Sequence, residues 1–296
     1  MQFPPKNFNN LRQILILLRQ GEINLDVGKK SLSALVIMIE NPDKVATSNI
    51  VELAVIVKIS PASITRLAKL LGFKGYNYFR QIFKQSSNNQ TDYYSQNALN
   101  IVKGKVSTPK SLIDKQLQST IDNVQQCIKN INDIDLAKII KLLSIKRKVF
   151  VFGHQQSSAI ASILSYGLSL IRKEVHLLGP IEHGVATTIG QLNRGDLLVI
   201  FSSSPYSQLS VNVASLAAKQ GCSVIALTDS LLSPLQDYSS VSINITTKGH
   251  YFTNSLSANC IVVESLLSMV AIELGHKAVD KLKQHELLLT QLNVNA

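Results

Sequence analysis

Apolar positions recur three and four residues apart through the front of the chain, then gather into short β-branched runs beyond residue 147. Leu11, Ile14, Leu15 and Leu18 predict a helix over Leu11–Leu18 that Gly21 closes. A second helix is predicted over Gly28–Glu40, with Leu32, Leu35, Val36 and Ile39 on one face and Asn41-Pro42 as its stop. Ser48 reads as the cap of a helix through Val57 that turns Ile50, Leu53, Ala54 and Val57 inward. Ser60-Pro61 is a stronger start signal, a hydroxyl cap followed by proline at the first helical position. The helix it opens is expected to run to Leu71 and stop at Gly72, and a last one to run from Gly75 through Lys84. Five short helices within about 85 residues make one small all-α domain.

Polar, uncharged, turn-forming residues dominate from 86 to 110, which predicts a linker. Residues 111–144 read as helical, with Leu112, Leu117, Ile121, Val124 and Ile128 spaced for one face. Five apolar runs then follow at Arg147–Phe152, Val175–Leu178, Leu197–Phe201, Ser223–Leu227 and Val241–Ile245. Helical stretches separate or follow them: Ser158–Arg172, Thr187–Leu192, Leu209–Gln220, Pro234–Tyr238 and Asn254–Leu274. Strands alternating with helices predict a parallel sheet covered on both faces. The expected fold is therefore two domains, an all-α bundle over 1–85 and an α/β sandwich with a five-stranded parallel sheet over 111–296. Ligands of such sheets bind outside the carboxyl ends of the strands, after Phe152, Leu178, Phe201 and Leu227.

Charge sharpens the front half. The chain has 30 Lys and Arg against 19 Asp and Glu, and residues 1–85 hold 12 of those cations but only 5 of the acids. Such an excess favours a polyanionic partner. Cys127, Cys222 and Cys260 show no metal spacing and read as buried thiols in a reducing compartment. The six histidines are scattered, so no metal is expected, and no cofactor motif is present. No apolar run reads as a signal peptide or a membrane span, and a cytoplasmic location is expected.

Within Pro61–Leu71, Ile64, Leu67, Leu70 and Leu71 form an inward stripe, while Ala62, Ser63, Arg66 and Lys69 recur on the other side with Thr65 beside them. Small residues at the helix start allow close approach to base edges. Arg66 can fork onto a guanine, and Lys69 and Lys74 can neutralise phosphates. Ser60 and the first-turn amides suit a phosphate as well as a cap. A solvated surface helix remains the alternative.

The segments ENPDKVATSNI (40–50), ELA (52–54) and ISPASITRLAKLLGFKGYNYF (59–79) resemble the helix-turn-helix domain of RpiR-type bacterial transcriptional regulators. The resemblance implies operator double-stranded DNA as a partner and Ser60, Ala62, Ser63, Thr65, Arg66, Lys69, Lys74 and Tyr76 as its contacts. The family usually has glycine where this chain has Lys58, in the turn between the two helices. It also implies that residues 111–285 form a sugar-isomerase-type (SIS) domain that self-associates as a homodimer or homotetramer.

Read on their own, FGHQQSS (152–158) and FSSSPYSQ (201–208) each follow a strand and open a helix, offering hydroxyls and amides to an anion. Serine-rich turns also cap helices, and that reading stays open. Neither loop is a dinucleotide or P-loop motif. SIS domains resemble this layout, and the resemblance implies Gly153, Ser157, Ser158, Ser202, Ser204 and Ser207 around a small anionic metabolite, a phosphosugar or sugar-derived acid. Gln155 and Pro205 stand where that family has glycine, and Thr228 and Asp229 either border the pocket or cap a turn. For catalysis, His154, Glu182, His183, His250 and Glu264 are the available bases, but no pair has a distinctive spacing. A sensor without enzymatic activity is expected; a phosphosugar isomerase with an accessory basic domain is the alternative.

Overall fold

The computed structural model describes residues 4–20, 22–23, 25–91, 93–104, 108–179, 184–231 and 233–294. They fall into two compact units, Met1–Leu99 and Asn100–Ala296.

The first unit contains α1 (Phe8–Gln20), α2 (Lys29–Glu40), α3 (Pro42–Thr47), α4 (Ile50–Val57), α5 (Pro61–Leu70) and α6 (Tyr76–Thr91). Asn41-Pro42 ends α2 as expected, but Pro42 also takes the first position of α3, a helix that the apolar spacing does not predict. Ser48 does not cap α4. Asn49 does: its side chain accepts from the amides of Val51 and Glu52, and the Glu52 carboxylate accepts from the Asn49 amide at 2.9 Å.

An aromatic ladder centres the core. Phe79 meets Phe73 and Phe83 edge-on at 5.4 and 5.0 Å, and Phe83 meets Phe8 at 5.4 Å. Leu11, Ile14, Leu35, Met38, Leu53, Ile64 and Leu67 close around it.

The stretch expected to be a linker is mostly helical. α6 continues to Thr91, α7 spans Tyr93–Lys103, and α8 starts at Pro109. No glycine or proline interrupts residues 76–103, and Gln, Ser and Asn cost a helix only about 0.7 kcal/mol per residue or less.

The second unit places α8 (Pro109–Asn130) and α9 (Asp133–Ile145) ahead of the sheet. The sheet alternates β1 (Val149–Gly153), α10 (Ser157–Ile171), β2 (Val175–Leu177), α11 (Gly184–Ile189), β3 (Leu197–Ser202), α12 (Gln208–Lys219), β4 (Ser223–Thr228) and β5 (Val241–Asn244). All five strands are parallel, in the order β2-β1-β3-β4-β5. Side chains alternate between the faces. Val149, Val151, Val199, Phe201, Ile225 and Ile243 belong to one apolar layer, and Phe150, Phe152, Leu198, Ile200, Val224 and Ala226 to the other.

The Pro234–Tyr238 helix expected before β5 is a 3-10 turn, Pro234–Asp237. α13 (Ser257–Leu274) is apolar and long enough to cross a membrane, but its Ala258, Val262, Val263, Leu266 and Val270 lie in the first of those layers. α14 (His276–Gln291) follows the last helix that the apolar pattern predicts. Ala278 is its buried residue, so its sequence carries little periodic signal.

Candidate functional sites

In the first unit, α4 and α5 meet across a turn of three residues, 58–60. Lys58 ends α4 in the left-handed region at φ 56°, and its amide reaches the Ala54 carbonyl. The turn that favours glycine is thus made by lysine. Ser60 then caps α5, its Oγ accepting from the Ser63 amide at 3.1 Å, with Pro61 at the first position.

Ile64, Leu67, Ala68 and Leu71 are buried on the inner side of α5, and Leu70 is only half-buried. Ala62, Arg66 and Lys69 are exposed on the outer side, with Ser63 and Thr65 half-buried between the faces. The Ser63 hydroxyl lies 2.9 Å from Ser60 Oγ, and Thr65 Oγ1 donates to the Pro61 carbonyl at 3.1 Å. Lys74 is exposed, with Nζ 5.8 Å from the centre of the Tyr78 ring.

Tyr76 is a correction to the sequence-based contact set. It is 7% exposed, its hydroxyl donates to the Ser48 carbonyl at 3.0 Å, and burial pushes its pKa up. Arg80 reinforces the same junction by donating to the carbonyls of Ala46 and Thr47 at the end of α3. Both side chains hold the unit together. Tyr78, two residues along, is exposed.

In the second unit the two serine loops differ. The turn after β1 satisfies itself: the amides of Ser157, Ser158 and Ala159 donate to the carbonyls of His154, Gln155 and Gln156, and Ser158 Oγ donates to the Gln155 carbonyl. The open amides expected at Ser157 and Ser158 are therefore occupied. Gln155 adopts φ 53°, in the left-handed region that favours glycine. Gly153 allows the turn, because a Cβ there would stand 2.2 Å from the Ser157 carbonyl oxygen.

The loop after β3 stays more open. Ser207 caps α12 by position without a side-chain bond, and the first helical bond runs from Val211 N to the Ser207 carbonyl. The amides of Gln208, Leu209 and Ser210 lie ahead of that bond, at the positive end of the helix. Ser204 is exposed and Ser202 buried, paired in register with Thr228 of β4. The hydroxyls of Thr228 and Ser210 are buried without a hydrogen-bond partner among the described residues. Polar groups so placed usually have one.

Two residues organise this edge. Asp229 accepts from the Ser204 amide at 3.2 Å and from the Tyr206 hydroxyl at 2.7 Å. Asn254, in the stretch between β5 and α13, donates to the Ser204 carbonyl at 2.8 Å, while its own carbonyl accepts from Gln156 at 2.8 Å. Four strand-end loops, those after β1, β3, β4 and β5, are thereby tied together. Asn254 escapes sequence reasoning because it lies outside every motif. Among the candidate bases, His154 is half-buried, and His250 and Glu264 are exposed; Glu182 and His183 lie outside the described residues.

Comparison with known proteins gives a consistent frame. Residues 31–90 match the helix-turn-helix domain of the rpiR family, and residues 142–269 match the SIS domain. An uncharacterised HTH-type transcriptional regulator of Haemophilus influenzae is 26% identical over 205 residues, 68% of this chain and 69% of its own length. Among solved structures, the Vibrio vulnificus NanR protein complexed with ManNAc-6P is 23% identical with a TM-score of 0.56, covering 95% of this chain and 100% of its own. The sugar isomerase domain of an RpiR transcription factor from Sphaerobacter thermophilus is 24% identical with a TM-score of 0.55, covering 59% and 98%.

Proposed function

Because the chain belongs to the RpiR-type transcriptional regulators, with a helix-turn-helix domain followed by a SIS domain, we propose that α5 reads operator DNA while the β3–α12 edge binds a small anionic metabolite. The observation that carries the first half is the outer face of α5. Ala62 leaves room for a close approach, Arg66 is available for a guanine, and Lys69 and Lys74 flank it for phosphates. Ser60, Ser63 and Thr65 spend their hydroxyls on the helix itself, so they position the reader more than they read.

A phosphosugar or sugar-derived acid fits the second half. Ser204 and Ser207 offer hydroxyls without protein partners among the described residues, and the amides opening α12 favour negative charge. The Asp229 carboxylate already holds the Ser204 amide, so the anion engages the Ser204 and Ser207 hydroxyls and the α12 amides. Gly153, Ser157 and Ser202 shape the floor, and Ser158 belongs to the turn. That the Vibrio vulnificus relative was solved with ManNAc-6P supports a phosphorylated sugar.

We read this site as a sensor and not as an enzyme. Isomerisation needs a base poised over the sugar carbons, and relatives of this chain are named as regulators. The protein works in the cytoplasm as a homodimer or homotetramer joined through its SIS domains, which presents two copies of α5 to paired half-sites.

Effector and operator must then couple reciprocally: a ligand that weakens DNA binding tenfold is itself bound ten times more weakly on DNA. Duplex affinity measured across a panel of sugar phosphates and sugar acids tests this. One ligand of the panel should shift it, and identical affinities with every saturating ligand would remove the sensor.

A further inference from the structure

Parallel strands put all their amino ends on one edge, opposite the loops described above, and that edge is strongly basic. Lys173 precedes β2, Arg147 and Lys148 precede β1, Arg194 precedes β3, and Lys219 ends α12 just before β4. At the far side Lys138 reaches from α9 to the carbonyl of Ser240, the residue before β5, at 2.6 Å. Taken in the spatial order β2-β1-β3-β4-β5, every strand brings at least one cation, so the charges form a row across the whole sheet. Arg147, Lys173, Arg194 and Lys219 are exposed. Two of the carboxylates along this edge have other partners, Glu174 facing His176 and Asp196 accepting from the Asn193 amide.

Neighbouring strands lie about 4.8 Å apart, so five strands carry the row over roughly 19 Å. Like charges gathered along one edge repel one another, most strongly within the Debye length of about 8 Å at physiological salt. An evenly charged polyanion relieves that repulsion.

We propose that this edge is a second DNA-contacting surface, which takes the phosphate backbone of duplex DNA. One phosphate per strand for each 3.4 Å of duplex axis sets about six phosphates of one strand against the row. The proposal rests on the DNA-binding reading of α5, since that helix brings the duplex to the molecule. The contact is to backbone alone, so it adds affinity and salt dependence without sequence preference.

The test uses the full chain and a 60-base-pair duplex of random sequence, beside the variant Arg147→Gln, Lys173→Gln, Arg194→Gln, Lys219→Gln. All four side chains are exposed. The slope of log affinity against log salt should fall by about 2 to 3, and affinity at low salt should drop at least tenfold. Lysine acetylation of the unaltered protein gives a reading free of any folding effect: duplex should protect Lys173 and Lys219 as well as Lys69. An unchanged slope, or protection of Lys69 alone, overturns the proposal and leaves the α5 reading in place. Loss of binding to phosphatidylserine vesicles with DNA binding intact overturns it in favour of a membrane surface.

Discussion

Lys58 and Gln155 stand where the resemblance expects glycine, and both keep the left-handed backbone, at φ 56° and 53°. An L-residue in that region costs about 1–2 kcal/mol, and glycine returns part of the gain as chain entropy, so Lys58→Gly should stabilise the α4–α5 pair by about 0.5–1 kcal/mol. Slower amide exchange across α4 and α5 reads this directly, and faster exchange contradicts it. Tyr76 makes the opposite case. Its position in the GFKGYNYF stretch suggests a contact, yet the phenol is spent on the Ser48 carbonyl inside the unit. Tyr76→Phe should therefore cost about 1–2 kcal/mol of stability, by leaving that carbonyl short of a donor, and should leave the DNA affinity of folded protein unchanged. A loss of affinity without loss of stability would return Tyr76 to the interface.

Among the elements, strands and caps with a local physical cause are the legible ones. All five strands are foreseen within two residues at either end, because buried parallel strands are unbroken apolar runs. Ser60-Pro61 marks the start of α5 just as plainly. α3, α7 and α14 are missed because short or mostly exposed helices bury too few residues to set a period. The serine loops are legible in place but not in state. Sequence shows hydroxyls after β1 and β3, whereas only hydrogen bonding distinguishes the self-satisfied turn at Ser157 from the open start of α12. Asp229 and Asn254 act across 25 and 50 residues of chain, beyond any local pattern. The α12 element therefore carries the ligand prediction. Ser204→Ala with Ser207→Ala should abolish ligand-induced thermal stabilisation across the sugar phosphate panel while DNA affinity stays. A retained shift would place the anion elsewhere.

At the scale of the molecule, the chain folds as two units, and the proposed account gives each one task and the surplus of positive charge to one of them. The reader unit carries Arg66 and Lys69 on α5 with Lys58 and Lys74 beside it, and the α/β unit has Arg147, Lys148, Lys173, Arg194 and Lys219 at the amino edge of its sheet. The account depends on α5 specifying sequence, because everything else, from ligand coupling to backbone contacts, only modulates a duplex already chosen. Selection of bound sequences from a random duplex pool, with the full chain and with Arg66→Ala, tests this most directly. The account predicts two symmetric half-sites for the unaltered chain and, for the variant, a weakening of roughly 1–3 kcal/mol with the preference lost at one position in each half. Recovery of the same sequences at the same strength by both proteins, or of no preferred sequence by either, would contradict it.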